Sequence, residues 1–234
     1  MTTERSEQRI APALQRMAGG IVVSCQARES NPLHGPVFMA AMAAAAVAGG
    51  AVGIRADGVA DIGAIRAAIG PEIPIIGISK LRLPDGSLFI TPSIASARDI
   101  IDGGANLVAL EATTRPRPGG ETLAQVVQGI HAAGALAMAD CGTLDDARAA
   151  VAAGVDAVGS TMSGYVGGPK LSGPDFELIE RMAAELPTPV FAEGRVWTPE
   201  DAKRALDLGA TFVVVGTAIT NPQAITARFV EGLG

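Results

Sequence analysis

The sequence predicts an α/β fold, a TIM-type (β/α)8 barrel with a short N-terminal helix, and three observations predict it. Eight short apolar runs recur along the 234 residues, each followed by a segment of helical period. None of the runs alternates polar with apolar residues, which is the pattern of parallel strands covered on both faces. The length suits eight such units in a single domain spanning 1–234. A doubly wound open sheet is the structural rival, but no G-x-G-x-x-G follows any run and no edge strand stands out.

Residues 4–18 have helical spacing and are expected to lead the chain as a short helix. The first strand is GGIVVSC, 19–25, followed by Gln26 and a loop with Asn31, Pro32 and Gly35. Pro36 opens an Ala-rich helix that Gly49 and Gly50 stop. AVGIR, 51–55, is read as the second strand, ending on Arg55, with a helix over 59–69. PIIGIS, 74–79, is the third, with Lys80 directly after it. The loop LRLPDGSLFITPS leads to a helix over 93–103 and the fourth strand LVALE, 107–111. ATTRPRPGG precedes a helix over 121–133, then come ALAMAD, 135–140, a helix over 143–153, and VDAVGS, 155–160. A Gly-rich loop, TMSGYVGGPKLSGP, leads to a helix over 175–186.

The seventh and eighth units lie in PVFAEGRVWTPEDAKRALDLGATFVVVGTAIT, 189–220, and a last helix covers 222–232. Two Gly-ended apolar runs flank a helical segment opened by Thr198 and Pro199, so strand, helix, strand is the natural parse. A βαβ unit crosses over right-handed, which puts both strand ends on one face together with Glu193, Gly194, Arg195, Gly216 and Thr217. Glycines let backbone N–H groups approach an oxyanion, and Arg offers a planar fork. The set reads as a phosphate site with a carboxylate beside it. The alternative is that the glycines only close tight turns.

Composition narrows the function. A net charge of -6 and 3% aromatic residues supply neither the basic face nor the stacking rings that nucleic acid requires. No apolar run is long enough for a membrane span, and the charged N-terminus does not resemble a signal peptide. Two cysteines, Cys25 and Cys141, do not make a disulfide framework and read as small buried thiols, so the expected compartment is a reducing cytoplasm. The two histidines, His34 and His131, are isolated, and no His or Cys pair has the spacing of metal ligands.

In a barrel, polar residues at the C-terminal ends of strands carry function. Here these are Gln26, Arg55, Lys80, Glu111, Asp140, Ser160, Glu193, Gly194, Arg195, Gly216 and Thr217. Arg55 could instead pair with a rim carboxylate for structure alone, and Asp140 could cap the following helix near Thr143. Only three lysines occur, at 80, 170 and 203, and Lys80 alone follows a buried strand. A desolvated ammonium among cations can be lowered toward neutrality and serve as a base, whereas a guanidinium cannot. Arg55, Arg82 and Arg195 are the cations expected to converge on it; the alternative is a lysine that stays charged and pairs with phosphate. A lysine with two carboxylates, Glu193 and Asp140, suits proton abstraction α to a carbonyl.

VSCQA at 23–27, GGAVGIRADG at 49–58, IIGISK at 75–80, TRPRPGGETL at 114–123 and MADCGTLDDA at 138–147 carry a resemblance to a known family. So do GSTMSGYVGG at 159–168, GPDFELI at 173–179, FAEGRVWTPEDAKRALDLGA at 191–210 and VVVGTAITNPQAITARF at 213–229. With these motifs the chain resembles the N-acetylmannosamine-6-phosphate 2-epimerases over nearly its whole length. The resemblance implies inversion at C2 of an N-acetylhexosamine 6-phosphate, in sialic acid and aminosugar catabolism, with no metal and no cofactor. It implies Lys80 as the base at C2 and Glu193 as the acid/base that opens the ring. Gln26, Arg55 and Asp140 would hold hydroxyls and the acetamido group, and Gly194, Arg195, Gly216 and Thr217 the phosphate.

The chain departs from the family pattern at Leu81, which separates Lys80 from Arg82, and at Glu111, where aspartate is usual. A Schiff-base aldolase or lyase is the enzymatic rival, since a low-pKa barrel lysine also condenses with carbonyls. A non-catalytic phosphosugar-binding protein is the other. Small barrels commonly pair, so a homodimer is expected, through the Ala-rich helix and the final helix. The glycines of 161–173 would let that loop close over substrate.

Overall fold

The structure, a computed structural model, describes residues 11–166 and 170–233. Its strands are β1 Ile21–Cys25, β2 Gly53–Asp57, β3 Ile75–Ile78, β4 Lys80–Arg82, β5 Leu88–Ile90, β6 Leu107–Glu111, β7 Leu136–Asp140, β8 Ala157–Gly159, β9 Val190–Glu193 and β10 Phe212–Val215. Its helices are α1 Pro12–Met17, α2 Pro36–Ala48, α3 Val59–Ile69, α4 Ile94–Asp102, α5 Leu123–Ala132, α6 Leu144–Ala152, α7 Phe176–Glu185, α8 Pro199–Asp207, α9 Thr217–Thr220 and α10 Pro222–Glu231. Eight strands close into a parallel barrel in the order β1-β10-β9-β8-β7-β6-β3-β2. The expected leading helix is present as α1, while positions 4–10 of that expectation lie outside the described residues.

Three elements, β4, β5 and α9, carry no pattern that the sequence reveals, and one strand runs further than its sequence suggests. The loop after Lys80 forms an antiparallel β4-β5 hairpin, pairing Lys80 with Ile90. Thr217–Thr220 makes a helical turn of its own. The second strand runs to Asp57 rather than stopping at Arg55, because Gly53 to Asp57 pair along β1 and β3.

The helices begin where their caps dictate. Ser93, Thr122, Thr143 and Thr198 each close a capping box with the residue three positions on. Such caps contribute about 1 kcal/mol each. Thr143, not Asp140, is therefore the cap of α6.

The strands place every second residue inside the barrel. Val22, Ile76, Ile78, Leu107, Ala109, Met138, Ala157, Phe191, Phe212 and Val214 fill it, and Leu14 and Met17 of α1 pack against the same cluster. The rings of Phe191 and Phe212 stack at 5.6 Å. Gly159 makes room for them, since a Cβ there would lie 2.3 Å from the Phe191 ring. The apolar floor is thus complete, and above it the inward positions of most strands are polar.

Candidate active site

These next inward positions are Gln26 beyond β1, Arg55 and Asp57 on β2, Lys80 after β3, Asp140 on β7, Thr161 beyond β8 and Glu193 on β9. Arg55 is fully buried and sits between two carboxylates. It donates to both oxygens of Asp140, Nη1 to Oδ1 at 3.0 Å and Nη2 to Oδ2 at 2.7 Å, and from Nη1 to Glu193 Oε2 at 2.6 Å. The Thr161 hydroxyl lies 2.7 Å from Asp140 Oδ1 and 3.2 Å from Glu193 Oε2. One cation serves two acids, and Asp140 holds the bidentate contact. Burial accordingly pushes Glu193 up to about 7, against the opposing pull of Arg55. Glu193 is thus suited to hold and release a proton near neutral pH. Ser160, also at the rim, donates to the Glu193 carbonyl at 3.0 Å and fixes the backbone beneath it.

Lys80 occupies the other side of the mouth. Its amine donates to Gln26 Oε1 and lies 3.5 Å from Asp57 Oδ2. Gln26 is itself oriented by donating to Ser24 Oγ at 2.7 Å, and Asp57 Oδ1 accepts the Lys80 backbone N–H at 3.1 Å. Burial lowers the Lys80 pKa; Asp57 opposes that and Arg55 adds to it. The expected convergence of three cations on Lys80 does not occur. Arg82 bends into its own hairpin to reach Gly86 O, and Arg195 donates to Gly173 O at 2.7 Å while its guanidinium lies over Tyr165. Neither reaches the Lys80 amine, so desolvation, with Arg55 as the one arginine that adds to it, favours the neutral form.

Gly194, Arg195, Gly216 and Thr217 do come together where β9 and β10 end side by side. Gly194 and Arg195 both adopt positive φ, 112° and 57°. Thr217 opens α9, and Thr220 ties that turn to β1 by donating to Ser24 O at 2.9 Å. In barrels of this kind the loops after the seventh and eighth strands, with a short extra helix, are a frequent phosphate position.

Glu111, inward on β6 and level with Asp140, has its carboxylate taken up by a neighbouring arginine. It is buried and is gripped by Arg115 at 2.7 and 2.6 Å, with Thr113 donating at 2.6 Å. The longer carboxylate reaches an arginine four residues on. Leu81 is half-exposed on the hairpin. Asp57 and Thr161 are the polar neighbours that sequence reasoning missed. The period of two would have found both, since Asp57 follows Arg55 by two residues and Thr161 follows Gly159 by two. Cys25 and Cys141 are buried, as expected, and burial pushes the Cys25 thiol up to about 12.

The family model described as "Putative N-acetylmannosamine-6-phosphate epimerase", NanE, matches residues 39–234. A Cutibacterium acnes relative named "Putative N-acetylmannosamine-6-phosphate 2-epimerase" is 47% identical over 221 residues, covering 93% of this chain and 95% of its own. One from Caldanaerobacter subterraneus subsp. tengcongensis with the same name is 46% identical over 220 residues, covering 93% and 92%. The solved N-acetylmannosamine-6-phosphate 2-epimerase of Clostridium perfringens superposes with a TM-score of 0.90 at 43% identity, over 97% of this chain and 98% of that one. A closed barrel with an amine and a proton-holding carboxyl at its C-terminal mouth, matched along its length by these relatives, places the chain in the NanE family of N-acetylmannosamine-6-phosphate epimerases.

Proposed function

We propose that the protein is an isomerase that inverts C2 of N-acetylmannosamine 6-phosphate, giving N-acetylglucosamine 6-phosphate. The observation that supports this most is that one C-terminal mouth holds Lys80, set by Gln26 and Asp57, together with Glu193, set by Arg55 and Thr161. A C2 hydrogen beside a closed acetal is not acidic. Glu193, protonated near neutral pH, is suited to give its proton to the ring oxygen as the C1–O5 bond breaks and the O1 hydroxyl loses its proton to solvent, which leaves the open aldehyde. Neutral Lys80 then takes the C2 proton, and the electron pair moves onto O1 as an enolate that the Arg55 charge stabilises. A solvent-derived proton delivered to the opposite face of C2, loss of the Lys80 proton to solvent, and ring closure with O1 regaining a proton and the O5 proton returning to Glu193 complete the inversion.

Gln26 faces the mouth directly, whereas Arg55 and Asp140 act on the sugar from beneath, through Glu193 and Thr161. Gly194, Arg195, Gly216 and Thr217 would hold the phosphate, whose binding fixes the reacting carbon near Lys80. An NMR time course with N-acetylmannosamine 6-phosphate in deuterated water tests the scheme. The expected result is deuterium at C2 of the product. Inversion without label would overturn it, and a borohydride-trapped lysine adduct would favour the aldolase alternative.

By the same reading the enzyme is a one-domain cytoplasmic homodimer serving sialic acid breakdown. Val37 and Phe38 on α2, with Phe229, Val230 and Leu233 at the C-terminal end, leave apolar surface exposed that a second copy would cover. Light scattering should return twice the chain mass. A deletion strain that still grows on sialic acid would count against the pathway.

A further inference from the structure

We propose that Thr91 is a positioning residue for Lys80, its hydroxyl wedged between the third and fourth barrel strands so as to aim the amine into the mouth. The inference rests on Lys80 being the base. The β3–β6 ladder pairs Ile76 with Leu107 and Gly77 with Val108, and stops there. Beyond it, the Ser79 N–H donates to Thr91 Oγ1 at 3.2 Å, and that hydroxyl donates onward to Ala109 O at 2.7 Å. The Thr91 N–H returns to Ser79 O at 2.8 Å. A side-chain hydroxyl thus stands between the strands, and β3 swings off into the hairpin whose first residue is Lys80.

Thr91 is fully buried and has φ 46°, a left-handed conformation that is costly for a β-branched residue. Strain of this kind persists only where surrounding contacts over-determine it. Here the contacts are present: Arg117 Nη1 donates to Thr91 O at 3.1 Å, while its Nη2 holds the Glu111 carbonyl. The only other non-glycine residue with positive φ among the described residues is Arg195, also beside the mouth.

The groups that set the state of Lys80 are Gln26 from the end of β1, Arg55 and Asp57 from β2, and Glu193 from β9. Displacing the β3 end moves Lys80 relative to all four without touching any of them. The protein has three lysines, so a 13Cε-lysine sample gives three signals, with Lys80 assigned by its loss in Lys80→Met. Thr91→Gly removes the hydroxyl and accepts the backbone angle, so the barrel closes; Thr91→Ser keeps the hydroxyl. The Gly variant is expected to move the Lys80 titration midpoint by roughly one pH unit toward that of an exposed lysine. It should also lower kcat about 10- to 100-fold with KM changed less than about threefold, and Ser should stay within about threefold of wild type. An unmoved Lys80 signal and unchanged kcat in the Gly variant would overturn the proposal, as would a Ser variant as impaired as Gly. An active Lys80→Met would instead overturn the assignment of the base.

Discussion

Each side of the mouth sets a cation against carboxylate, but the two are solvated differently. On the lysine side, the side chains of Lys80 and Asp57 keep 31% and 29% of their exposure. On the carboxylate side, Arg55, Asp140 and Glu193 keep 1%, 0% and 16%. Lys80 is held by an uncharged amide and a loose carboxylate, so it can move its proton at small cost. Glu193 belongs to a buried triad with fixed geometry, where its proton compensates for the shortage of positive charge. In the proposed scheme the solvated amine would serve as base and the buried carboxyl as preorganised acid, which suits ring opening because the acid must act at one oxygen while the base acts at a carbon that changes hybridisation.

Breaking the lysine side should have the largest effect on turnover. Lys80→Met is expected to lower kcat by at least about 10³-fold, with sugar-phosphate binding by calorimetry largely retained. Full activity in this variant would dissolve the comparison. On the carboxylate side the largest effect falls on stability. Arg55→Met leaves two acids buried without their cation, and the expected loss is about 3–5 kcal/mol, read from denaturant unfolding. Asp57→Asn, on the exposed side, should barely change stability.

Titration sharpens the contrast. Glu193 has its folded pKa raised to about 7 from the ordinary carboxylate value, so the folded state favours its protonated form. That stabilising contribution is fully present below the unfolded value, about 4.3, and disappears as pH rises through the folded one. Between pH 5 and pH 8 the wild type should therefore lose more Tm than Glu193→Gln does. Parallel melting curves of the two proteins would contradict the raised value. Asp57 raises the Lys80 pKa, so Asp57→Asn should shift the low-pH limb of kcat to lower pH, a smaller effect read from the rate profile. An upward shift would show that Asp57 is not the partner that matters.

The barrel was legible because its signals are local. Apolar runs without alternation, Ser or Thr caps such as Thr143 and Thr198, and glycines at strand ends each act within a few residues, and together they specify strand, turn and helix. Lys80 and Glu193 were legible for the same reason, as polar residues next to buried strands. The β4-β5 hairpin was missed because its three-residue strands carry too little pattern to separate them from a loop.

What meets what across the mouth was not legible in that way. Arg55 and Glu193 are 138 positions apart, and nothing near either residue names the other. Their contact, the shared Thr161 hydroxyl, the diversion of Arg195 to Gly173 and the capture of Glu111 by Arg115 depend on barrel closure and on the stagger of each strand against its neighbours. The sequence alone determined that polar side chains such as Lys80 and Glu193 stand where the apolar strands end, because that signal is local. Only the tertiary structure decided which of them are buried together, and desolvation and shared charge, which set the protons on Lys80 and Glu193, arise from that proximity.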